Sequence, residues 1–116
     1  MNNQKFNLVL DRLLDRTIEG KLEWEKTANR NTFLAVLQES TIAISQDFEA
    51  DAEFPSVSYT FDFRNENGEI VESIDVFDSV EEREIFEKAN QIFDLARQQS
   101  STVDKTLDHI LEQLAA

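Results

Sequence analysis

Hydrophobic periodicity changes twice along this 116-residue chain, and those two changes limit its fold more than any other feature. Phe6, Val9, Leu10, Leu13, Leu14 and Ile18 recur at steps of three and four. That stripe predicts an amphipathic helix over about residues 4–19. Gly20 stands where a left-handed residue closes a last helical turn. Arg12 and Asp15, three apart on the polar side, make a pair worth a few tenths of a kcal/mol. After Gly20 the period drops to two. Leu22, Trp24 and Lys26 alternate with Lys21, Glu23 and Glu25, as in a strand with one wet face. Asn29-Arg30-Asn31 is a polar turn. Thr32-Phe33-Leu34-Ala35-Val36-Leu37 is apolar on both faces, which suits a central strand covered twice. It also suits a short buried helix, and periodicity alone does not separate the two. Thr41-Ile42-Ala43-Ile44-Ser45 reads as a third strand.

Residues 56–77 predict a hairpin. Val57, Tyr59, Phe61 and Phe63 face one way, and Asn65-Glu66-Asn67-Gly68 supplies the turn. A two-residue Asn67-Gly68 turn sets Phe63 opposite Glu72 and Val57 opposite Asp78. A four-residue loop sets Phe63 opposite Ile70, Tyr59 opposite Ile74 and Val57 opposite Val76, with only Phe61 facing Glu72. Since a one-residue slip reverses every face, the four-residue loop is preferred.

Period 3.6 then returns. Ser79-Val80-Glu81-Glu82 matches a capping box. Ile85, Phe86, Ala89, Ile92, Phe93 and Ala96 continue a helix to about Gln99. Ser101 with Asp104 offers a fresh cap, and Val103, Leu107, Ile110, Leu111 and Leu114 share one face of a last helix. Helix, five strands, helix, helix is a segregated order. It predicts an α+β fold, residues 1–116 as a single domain, in which an N-terminal helix precedes an antiparallel β-meander and two C-terminal helices pack on one face of the sheet.

Charge is as unevenly distributed as periodicity. Of the net charge of −13, residues 47–87 carry −12, from fourteen acids against Arg64 and Arg83. Such a field repels nucleic acid and anionic membrane and attracts basic surfaces. There is no Cys, which excludes disulfides, thiolate metal sites and cysteine nucleophiles. No apolar run approaches the ~20 residues that span a bilayer, and Met1-Asn2-Asn3-Gln4-Lys5 lacks the blocks of a signal peptide. A cytoplasmic protein is expected.

The motifs support binding more than catalysis. Asp47, Glu49, Asp51 and Glu53 alternate with apolar residues, placing four carboxylates on one edge of an extended segment that ends at Pro55. The stretch lacks the central Gly and distal Glu of an EF-hand, so no metal is assigned to it. With Glu72 and Asp75 these acids are the candidate docking residues for a basic protein surface. Glu72 lies on the otherwise apolar Ile70-Ile74-Val76 face, which calls for an edge position or a partner. His109, the only imidazole, falls with Lys105 and Glu112 on the polar side of the last helix. No Gly-rich phosphate loop, His pair or Ser-His-Asp set is present, so no catalytic residue and no cofactor are expected. Trp24, Phe33 and Phe63 could instead line a small-molecule pocket between helices and sheet. Self-association as a homodimer has a candidate surface in the strands near Leu37–Ile44.

The run Thr17-Ile18-Glu19-Gly20-Lys21-Leu22-Glu23-Trp24-Glu25-Lys26-Thr27 resembles an opening found in small bacterial and phage proteins of unassigned function, with a T-x-x-G-x-L-x-W-x-x-T pattern. Leu95-Ala96-Arg97-Gln98 is similar to a segment near their carboxyl ends. The resemblance implies a compact helix-sheet-helix domain of bacterial type and transfers no catalytic residues. A small non-enzymatic acidic protein of the immunity, antitoxin or anti-defence kind is the function these features suggest, with the aromatic small-molecule pocket as the alternative.

Overall fold

The computed structural model describes residues 3–49, 53, 56–100 and 102–115, with side chains at all of these except residues 3 and 102–105. Helix α1 (Asn3–Ile18) leads into strands β1 (Trp24–Lys26), β2 (Thr32–Val36), β3 (Thr41–Glu49), β4 (Ser56–Arg64) and β5 (Ile70–Phe77), followed by α2 (Arg83–Gln99) and α3 (Thr102–Ala115). The strands pair antiparallel in sequence order, β1-β2-β3-β4-β5. This is the α+β arrangement expected from the change of period.

Local chemistry sets the ends of these elements. Gly20 adopts φ +73°, and the backbone N–H groups of Gly20 and Lys21 donate to the carbonyls of Thr17 and Arg16. That double closure needs a left-handed residue, which glycine adopts without strain. Ahead of α2, Ser79 Oγ accepts from the Glu82 N–H at 3.2 Å, but this bond of the expected capping box closes the turn before the helix, whose N-cap is Glu82. The Glu82 carboxylate reaches past Ser79 to the Phe77 N–H at 2.8 Å, so it ties the end of β5 to the start of the helix. The expected Ser101 cap lies outside the described residues.

One face of the sheet is covered. Phe6, Leu10 and Leu13 of α1 and Ala89, Ile92, Phe93 and Ala96 of α2 are buried against Trp24, Phe33, Ala35, Ile42, Ile44, Tyr59, Phe61 and Val76. The alanines of α2 let its backbone come close to the strands. Aromatic rings bind the layers: Phe6 meets Phe61 edge-on at 5.6 Å, and Phe93 meets Phe33 at 5.3 Å and Tyr59 at 5.5 Å. Contacts of this geometry add about 0.5–1.5 kcal/mol each beyond area burial. Where the core turns polar at Thr17 and Trp24, both groups are satisfied. Trp24 Nε1 donates to Thr17 Oγ1 at 3.0 Å, and Thr17 in turn donates to the Leu13 carbonyl at 2.7 Å.

Three expectations need correction. First, β2 is covered once: Phe33 and Ala35 are buried, while Val36 is well exposed on the other face. Second, the strands follow the register of the two-residue alternative, not that of the preferred four-residue loop, and leave it only at the hairpin end. Tyr59 pairs with Val76, Phe61 with Ile74 and Phe63 with Glu72, and the ladder then shifts so that Arg64 meets Ile70. Val71 is the extra residue of a bulge. Asn65 anchors the tip: its side-chain oxygen accepts from the N–H groups of Asn67 and Glu69, and Gly68 takes φ +80°. The preferred four-residue loop would have set Glu72 against Phe61, which is fully buried. The bulge moves the mismatch to half-buried Phe63 beside the hairpin end. Third, the expected Arg12–Asp15 pair does not form among the described residues. Of the two C-terminal helices, α2 carries the contact with the sheet and touches all five strands. The stripe of α3 from Leu107 to Leu114 is exposed.

Lys88 joins α2 to α1. Its Nζ lies 2.8 Å from Asp11, 2.7 Å from Asn7 Oδ1 and 3.3 Å from Glu84. The hydrogen bond to Asp11 above all, and Glu84 with it, holds the ammonium pKa above its ordinary 10.5, against an opposing effect of burial. Burial likewise raises the Tyr59 phenol above 10.0.

Two outcomes follow from this packing. Thr17→Val leaves the indole N–H without its acceptor and should cost about 1–2 kcal/mol in urea unfolding followed by the fluorescence of Trp24, the sole tryptophan. An unchanged midpoint would show that water replaces the hydroxyl at no cost. A raised folded-state pKa stabilises the fold fully below the unfolded value and loses that contribution as pH climbs through the folded value. Lys88 and Tyr59 therefore both make stability fall above about pH 10. Lys88→Met should be less stable at neutral pH by about 1–2 kcal/mol and show a shallower alkaline decline than the parent chain. Parallel pH profiles for the two proteins would contradict this.

Candidate functional site

Because α1 and α2 lie on one face, the other face of the sheet is open, and the register says which residues it presents. Glu25, Leu34, Ala43, Asp62 and Ser73 form one row across all five strands. Thr32, Ser45, Thr60 and Asp75 form the next, and Asp47, Ser58 and Phe77 a third, with Glu49 beyond it opposite Ser56. The face is thus built from hydroxyls and carboxylates. Thr32 Oγ1 lies 2.9 Å from Ser45 Oγ. Thr60 donates to Asp75 Oδ1 at 2.7 Å, and Ser73 donates to Asp62 Oδ1. These bonds orient the carboxylates and leave their charge intact.

Asp47, Glu49, Asp62 and Asp75 take part in no ion pair among the described residues. Arg64, opposite Thr41 and Ile70, is the single cation that β3, β4 and β5 place on this face. Asp62 and Asp75 are diagonal neighbours, about 7–8 Å apart by regular ladder spacing. Their repulsion at that range is about 0.5 kcal/mol in water-like dielectric. It is small enough to be tolerated, and it grows as salt is removed.

Of the six acids predicted to act together, Asp47, Glu49 and Asp75 share this open face. Glu53 is exposed but lies outside the strands, and Asp51 lies outside the described residues. Glu72 departs from the group: opposite Phe63, it sits half-buried on the helix-covered side of β5, at the sheet edge. Asp62, outside the predicted docking set, belongs to the face as well: alternation along β4 turns it away from Phe61 and Phe63, and strand pairing brings it beside Asp75.

The predicted aromatic trio occupies the core. Trp24 and Phe33 are buried, and Phe63 stacks on Phe61 while Phe6 meets it edge-on. Two of the concavities are rimmed by cations, and of the trio only Phe33 reaches one of them. Lys26, Thr27, Asn29, Arg30, Phe33 and Arg97 line a cleft of about 240 Å³ at the β1–β2 turn. A larger groove of about 480 Å³ runs between α1 (Leu8, Val9, Arg12, Leu13, Arg16) and the wall made by Lys21, Leu22, Leu37 and Ile42. Among the described residues no cluster of three or more His, Asp or Glu is arranged to hold a metal ion, and no helix is long and apolar enough to cross a membrane.

If the open-face carboxylates serve display more than stability, neutralising them singly should be nearly silent. Asp62→Asn and Asp75→Asn each keep a side-chain acceptor. Each should change stability by less than about 0.5 kcal/mol at physiological salt and raise it slightly at low salt. A loss above about 1 kcal/mol in thermal or urea unfolding would assign the charge a structural role. Comparison with protein-family models, with curated proteins and with solved structures finds no match to this chain, so its site is described by its own geometry alone.

Proposed function

We propose that this protein is a non-enzymatic binding module whose open, acidic sheet face docks a basic protein surface, as immunity proteins, antitoxins or anti-defence inhibitors do. One observation carries the reading: Asp47, Glu49, Asp62 and Asp75 share an uncovered face of β3, β4 and β5, and none of them is neutralised by an ion pair among the described residues. A sheet face bearing carboxylates beside neighbouring hydroxyls offers many weak, orientable contacts to Lys and Arg. Leu34, Val36, Ile70 and Phe77 lie on the same face and supply apolar area between the charges. The surrounding negative potential accelerates encounter with a cationic partner and disfavours acidic competitors.

Stepwise salt elution of bound protein from the immobilised chain tests this. A partner with a basic isoelectric point should be retained and should release progressively as ionic strength rises. The variant carrying Asp47→Lys, Glu49→Lys, Asp62→Lys and Asp75→Lys, checked for folding by circular dichroism, should bind that partner at least about tenfold more weakly. Retention that ignores salt, or that survives charge reversal, would contradict electrostatic docking through this face.

A further inference from the structure

Two apolar surfaces of the chain remain uncovered, and they match each other. The first is the stripe of α3, where Leu107 is 52% exposed, Ile110 43%, Leu111 64% and Leu114 77%. The second is the groove beside α1, floored by Val9, Leu13, Leu22 and Ile42 and flanked by exposed Leu8 and Leu37. We infer that α3 of one copy seats in the α1 groove of a second copy, giving a reciprocal dimer.

Length and charge both favour this occupant. From Leu107 to Leu114 the helix rises about 10 Å, and the α1 wall from Leu8 to Arg16 rises about 12 Å. Asp108 and Glu112 follow Leu107 and Leu111 along one flank of the stripe, four residues apart. Arg12 and Arg16 stand four residues apart on the groove wall, and neither takes part in an ion pair among the described residues. Both pairs repeat at about 6 Å of rise, so a helix laid along α1 brings both acids within reach of both arginines. The groove is also one of the few cationic places on a chain of net charge −13. Two copies that meet through their acidic faces repel each other.

A second copy fits better than the chain's own α3. In a single chain the stripe and the groove are both open, and α3 lines no part of the groove. The exit from α2 is clamped. Buried Ser100 donates through its hydroxyl and its N–H to the Ala96 carbonyl, and the Gln99 amide donates to the Thr17 carbonyl at 2.9 Å. Each chain offers one stripe and one groove, so a two-fold pair satisfies both and closes. The groove lies on the helix-covered side, which leaves the acidic sheet face free for another partner.

Light scattering coupled to gel filtration of the full chain should give twice the monomer mass. Leu107→Asp with Leu111→Asp changes only exposed residues. It should yield a folded monomer, with dimer affinity weakened at least tenfold. The Arg12→Glu, Arg16→Glu chain and the Asp108→Lys, Glu112→Lys chain should each be monomeric alone and dimerise when mixed, because charge complementarity then holds at both contacts. A parent chain that is monomeric throughout the measurable concentration range overturns the inference. So does a dimer that survives the α3 substitutions, or charge-reversed chains that fail to complement each other although the parent dimerises.

Discussion

Helix α2 lies across all five strands, and the identity of the small and large residues it presents determines what the rest of the molecule can show. Ala89 and Ala96 allow close approach, while Ile92 and Phe93 fill the space between the strands and α1. Replacing either alanine by a larger residue would lift the helix and open the core. With this contact in place one face of the sheet is sealed. The opposite face has no described element against it and stays available.

The meander then converts order along the chain into order in space. Because the strands lie side by side in sequence order, a charge asymmetry written along the sequence becomes one across the molecule. The neutral first third supplies α1, β1 and β2, and with them the cations Arg12, Arg16, Lys21, Lys26 and Arg30 that rim the two concavities. The acidic middle third supplies the end of β3, all of β4 and β5, and the start of α2. The two regions therefore stay apart, whereas a topology that interleaved early and late strands would have mixed them. Lys88, from the last third, bridges Asp11 of the first region and Glu84 of the second.

Local signals in the sequence proved readable where one element decides the outcome. Gly20 closes α1 with a positive φ, Asn65 to Gly68 turn the hairpin, and the spacing of Ala89 to Ala96 marks the buried side of α2. Features that depend on two elements at once were harder. The bulge at Val71 joins the strand register to the turn at Asn65–Gly68, and pairwise alternation does not show it. Leu34 and Val36 looked like a second buried face because an apolar run does not report whether a layer exists to cover it. Glu72 and Asp75, three residues apart on one strand, ended on opposite faces of the sheet. Strand parity foretold that separation, although both acids were grouped as one docking set. The α1 groove draws residues from four separate stretches, and no one stretch announces it.

The central claim is that cationic partners meet this protein on the open face of β3, β4 and β5. Amide chemical-shift mapping during titration with a short oligolysine peptide tests it at residue resolution. The shifts should concentrate at residues 45–49, 58–62 and 73–75 and vanish at high salt. Shifts spread evenly over α2 and the hairpin tip, or centred on Glu84 and Glu87, would contradict it.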